Sequence, residues 1–244
     1  EESHQMLGTS EATPRQTLID SRKKMVIKEA KYFYYSARFW QYFTLMILSN
    51  YFGCFFGYSF KIFGLSNDGH AQMTDTLMTW AASIGGGFIN GTSRIILGAF
   101  IEKFTFRQIF SVLMAIQLVN SLVCYTAAKV PALYFFCVMM NYFCLGGMYA
   151  IFPVSVNNCF GNEFGPTIYV FILFGGFITS LINLVTTSVL LDATSFQFLF
   201  YTGSMVQALT LVIMAFFKEE LDVERLARFN VLKREEAPAK VAPK

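Results

Sequence analysis

The sequence predicts an all-α membrane protein of six transmembrane helices, on three observations. Six apolar segments have crossing length, basic residues crowd onto one side of them, and the composition is too apolar for a surface facing water. Of 244 residues 55% are hydrophobic, 28 are Phe and only 14% are charged, so much of the folded surface must meet lipid.

Taken in order, residues 1–38 form a polar, basic lead. From Leu18 to Phe39 its Lys and Arg mix with Ile27, Tyr32, Phe33, Tyr34 and Tyr35, a pattern that predicts a helix lying in the headgroup layer. Glu1 leaves two origins open, a removed leader or a fragment. The six spans read Phe39–Phe63, Thr76–Phe100, Phe106–Ala128, Pro131–Ser155, Gly165–Leu190 and Thr194–Phe217, each close to or above the ~20 residues that cross a bilayer. Residues 39–217 are therefore the membrane domain. Residues 218–244 begin as a charged helix and end in an Ala, Pro and Lys stretch that cannot bury a core.

Sixteen Lys and Arg fall before the first span, in the second connection (Lys103, Arg107) or after the last span. Only Lys61 and Lys129 fall on the other side. By the positive-inside rule both termini face the cytoplasm, or the matrix if the membrane is the mitochondrial inner one; plasma membrane and mitochondrial inner membrane both stay open. The lipid bilayer is the first partner, and the net charge of +3 needs no nucleic acid to explain it, because basic residues flanking spans meet anionic headgroups.

Chemistry is sparse. Cys54, Cys124, Cys137, Cys144 and Cys159 lie in or beside spans without a C-x-x-C pair and read as packing residues. His4 and His70 are isolated, so no metal site is expected. Nucleophile elbow, P-loop and dinucleotide fingerprint are absent from the sequence, so neither an enzyme nor a cofactor is expected. No span carries Asp, Glu or His near its middle, which argues against a carboxylate proton relay.

Small residues at four-residue spacing mark where membrane helices can approach. Ser83, Gly87 and Gly91 form such a stripe in the second span, continued by Gly98, and predict a helix contact there; Gly146, Gly147 and Pro153 mark packing or flexing points in the fourth. Within that stripe stands the one intramembrane charge, Arg94. Asn90 at i−4, Gly91 at i−3 and Gly98 at i+4 place it on the small, polar face, expected to point into the bundle. Two roles are open. Its planar fork suits a carboxylate, or the chain snorkels towards Phe100, about 9 Å along the helix, and pairs with Glu102.

The run from Gly91 through Arg94 and Gly98 to Glu102 and Lys103 resembles the eighth span and following loop of a major facilitator superfamily transporter. Gly146-Gly147-Met148-Tyr149-Ala150-Ile151-Phe152-Pro153, with Phe160-Gly161 and Gly165 beyond, is similar to the tenth span of the oxalate/formate antiporter-like and monocarboxylate branch. The resemblance implies the C-terminal six-helix half of that fold, with Arg94 and Asn90 at a small organic anion and Gly91, Gly98, Glu102, Lys103 and Arg107 in a gating motif. Asn90 stands where monocarboxylate members carry Asp, and Gly165–Leu190 has no Lys where the oxalate exchanger has one. Two functions follow as expectations: half of a secondary transporter that needs a second six-helix half, or a transporter-derived structural subunit of a larger membrane complex such as a mitochondrial respiratory assembly.

Overall fold

A run rich in Phe and Tyr, opened by the Ser36 hydroxyl accepting from the Arg38 amide, winds α1 over Ala37–Leu65, 29 residues. The computed structural model describes residues 36–66, 73–161, 164–190 and 194–217; the basic lead, its interfacial helix, both histidines and the charged tail lie outside these. Among the described residues every regular element is a helix.

Thr74 accepts from the Leu77 amide to start α2 (Asp75–Ser83), which passes through a π-helical segment, Ile84–Ile89, into α3 (Asn90–Phe100). Thr105 and Gln108 form a reciprocal capping box at the start of α4 (Phe106–Ala127). Pro131 opens α5 (Pro131–Phe160), where its missing N–H costs nothing. α6 (Gly165–Val185) continues through a second π segment, Thr186–Leu190, and Ser195 caps α7 (Phe196–Ala215).

Among the described residues four helices are long and apolar enough to cross a membrane: α4, α5, α6 with most of its π extension, and α7. The sequence leads one to expect six. The two remaining segments fall short of that criterion for different reasons: α1 is diluted by Ser49, Asn50, Tyr51, Tyr58 and Ser59, and α2 and α3 are short pieces joined by the π segment.

Helix α1 can carry polar residues because it is wrapped. Four of its carbonyls, on Ile47, Ser49, Tyr51 and Gly53, accept hydrogen bonds from Thr179, Gln207, Asn183 and Asn141 on three surrounding helices. In an apolar medium such side-chain bonds hold helices together at about 0.6 kcal/mol each. This amide belt separates two aromatic layers. At one end Tyr42, Phe106, Phe152 and Phe217 interlock; at the other Phe63 meets Tyr134, Phe196 and Phe200. The first layer gathers the starts of α1 and α4 with the end of α7, where the Arg107 guanidinium donates to the Ala215 carbonyl at 2.8 Å.

The close approach of α3 to α5 reverses the expected arrangement. A Cβ on Gly146 would strike the Asn90 carbonyl oxygen and Ser93 Oγ, and one on Gly147 would strike Leu97. A Cβ on Gly87, Gly91 or Gly98 would meet nothing within 4 Å. The expected helix contact through Gly87 and Gly91 is therefore absent among the described residues. The buried face of this helical run is Ala81, Gly85, Ser93 and Leu97; the Ser83, Gly87 and Gly91 stripe lies opposite, exposed.

Candidate functional site

Arg94 lies on that outward stripe, exposed rather than inside the bundle as the sequence leads one to expect. The reason is the same: the contact face of α3 is the one that fits under the α5 glycines, and Arg94 is next to it, not on it. Its Nε donates to the Asn90 side-chain oxygen at 3.2 Å, one turn back. Its guanidinium carbon sits 5.7 Å from the centre of the Tyr149 ring, a cation–π distance.

These two contacts fix the stem and one nitrogen. Among the described residues neither terminal guanidinium nitrogen has a hydrogen-bond partner, and the ion pair is Lys61 with Asp75 at 2.8 Å, not Arg94 with Glu102. The side chain thus bonds back along α3, away from the Phe100 end, and presents the open side of its fork to whatever covers this face. Such a fork donates two parallel N–H···O bonds to a carboxylate.

Two tyrosines, Tyr149 and Tyr169, lie near it. Tyr149 is half-buried, its hydroxyl 3.9 Å from where a Cβ on Gly176 would stand. Pro153 lies inside α5 four residues after Tyr149, so the Tyr149 carbonyl loses its intrahelical donor at the level of the site. Sequence reasoning missed Tyr149 and Tyr169 as neighbours of Arg94. The available signal was tyrosine within apolar spans, away from the interfacial belt where that residue usually gathers.

The expected site residues therefore divide. Arg94 and Asn90 are joined directly, with Gly91 on the same open face; Gly98 continues it towards the end of α3. Glu102 and Lys103 are exposed in the turn between α3 and α4, and Arg107 is anchored to α7. Gly146 and Gly147 position α3 from behind. The π segment Ile84-Gly85-Gly86-Gly87-Phe88-Ile89 ends immediately before Asn90. A π turn carries one residue more per turn, so the buried position after Gly85 falls at Ser93, eight residues on, and Arg94 is turned outward beside it.

No protein-family model matches this chain, and no curated protein matches it significantly.

Proposed function

We propose that this chain is one six-helix half of a secondary transporter for small organic anions, with Arg94 as the anion contact. The observation that carries the reading is the half-used guanidinium: Nε bonded to Asn90, the group set against the Tyr149 ring, terminal nitrogens unbonded, on α3 of a chain whose other helices include four of membrane-crossing length. With α2 and α3 read together as one span, an arginine inside it costs up to about 2.5–3.5 kcal/mol on insertion scales, which makes an unfilled one a functional candidate. The resemblance of Gly91–Lys103 and Gly146–Pro153 to the carboxylate-handling branch of the major facilitator superfamily supports the same substrate class.

The glycine stripe supplies the second support. Gly87 and Gly91 leave an exposed strip beside Arg94, continued by the half-buried Gly98, the surface on which a second six-helix half would close and complete the path. The other reading, a non-transporting subunit of a larger membrane complex, is favoured by Asn90, an amide where a proton-coupled site would need a carboxylate.

The discriminating experiment is purification in mild detergent after introducing Gly91→Cys. Cross-linking from that position to a chain with six apolar spans supports the transporter half. Cross-linking to a set of unrelated subunits supports the structural reading.

A further inference from the structure

Helices α3, α4 and α5 enclose an apolar groove of about 270 Å³ next to the α3–α4 turn. Phe100 and Phe104 form its mouth with Gln108; Val112, Ile116 and Phe143 line it inward. Along α4 the distance from Gln108 to Ile116 is about 12 Å at 1.5 Å per residue, close to the half-thickness of a ~30 Å hydrocarbon core. A second groove, of about 400 Å³, begins at Ala115 and Ile116 and runs to Val123, so the two meet at mid-depth. Each has the reach of one leaflet.

Their outer ends differ in charge. Lys103 stands in the turn between Phe100 and Phe104, exposed and, among the described residues, without an ion-pair partner. Arg107 is exposed one residue before Gln108, its position fixed by the bond to Ala215. Glu102 is the one carboxylate in this turn, leaving a net positive mouth. Gln108 uses its side-chain oxygen on the Thr105 amide, which leaves its NH2 free to donate. At the far groove the end is marked by Lys129 alone.

We propose that the groove beside Lys103 is a binding site for an anionic glycerophospholipid, one acyl chain lying along α4 to Ile116 and the phosphate resting on Lys103 and Gln108. The groove supplies length and apolar walls. Lys103, Arg107 and the Gln108 amide supply the reason for a negative headgroup, since basic residues near the surface attract anionic lipid. The site stands apart from Arg94 and rests only on the chain being embedded in a membrane.

The test is thermal unfolding of the detergent-purified protein, with its native partners, after delipidation and titration with phosphatidylglycerol or phosphatidylcholine of identical chains. Phosphatidylglycerol should protect at a concentration about fivefold lower, the preference one surface lysine supplies. Lys103→Gln should bring the two lipids together. Val112→Trp, at a position exposed on the groove wall, should fill the groove and abolish protection by both while the lipid-free midpoint holds. Native mass spectrometry should show one retained anionic lipid in the wild type and none in Val112→Trp. Equal protection by the two lipids, no protection by either, or a preference that survives both substitutions would overturn the proposal.

Discussion

Two sets of glycines in one helix pair have opposite surroundings. Gly146 and Gly147 of α5 leave no room for a methyl group, because the Asn90 carbonyl, Ser93 and Leu97 occupy the space. Gly87, Gly91 and Gly98, on the run that packs against them, are spaced four and seven residues apart along one face and have open space where a side chain would go. Spacing identifies a face of a helix. It does not say which face the partner takes, because a glycine on either helix lets the two backbones approach equally well. The closed set holds the bundle together, and the open set leaves a smooth surface on the side that carries Arg94.

The comparison breaks most readily at Gly146. Gly146→Val drives branched carbons into backbone of α3, which cannot give way as a flexible side chain does, so destabilisation should reach or exceed the ~1–3 kcal/mol typical of overpacking. It is read as the unfolding midpoint in detergent, and an unchanged midpoint would mean that α3 and α5 do not meet there.

Asn141→Leu should have an intermediate effect. It removes the donor to the Gly53 carbonyl in the amide belt, at about 0.6 kcal/mol and no more than ~1.7. A Gly91→Leu substitution should have the smallest effect on the isolated chain, within about 0.5 kcal/mol, because it adds a side chain to open space. The same substitution should abolish association with a second half. If Gly91→Leu instead unfolds the chain, the open face is a packed one and the comparison fails.

Much of the bundle was legible. The start of α4 at Phe106, of α5 at Pro131 and of α6 at Gly165 follow from a Thr cap, a Pro and a Gly-Pro pair, signals that act locally. The end of α5 was not placed by hydropathy, which falls near Ser155, whereas the helix runs on to Phe160. It stops at Gly161, whose φ of 82° only glycine adopts readily. The π segment was invisible because three successive glycines carry no periodicity. Asn141, Asn183 and Gln207 stand in the sequence as isolated amides within apolar runs, and their convergence on alternate carbonyls of α1 is a tertiary fact. At the site, Arg94 and Asn90 were legible as an i, i+4 pair. The direction they face was not, since it depends on Gly146 and Gly147, more than fifty residues away.

The central claim is that the unbonded side of the Arg94 fork receives a carboxylate. The most direct measurement is the thermal shift of the purified protein, with its native partners, in lactate, pyruvate, formate and oxalate, compared with Arg94→Gln. A bound anion stabilises by RT ln(1 + [L]/Kd), about 2.7 kcal/mol at a hundredfold excess over Kd. At least one of the four should raise the midpoint of the wild type, and Arg94→Gln should remove that rise while leaving the ligand-free midpoint in place. Arg94→Lys should fail to restore it, because an ammonium keeps the charge and loses the planar pair of donors. Protection that persists in Arg94→Gln, or no protection by any of the four in the intact assembly, would contradict the claim.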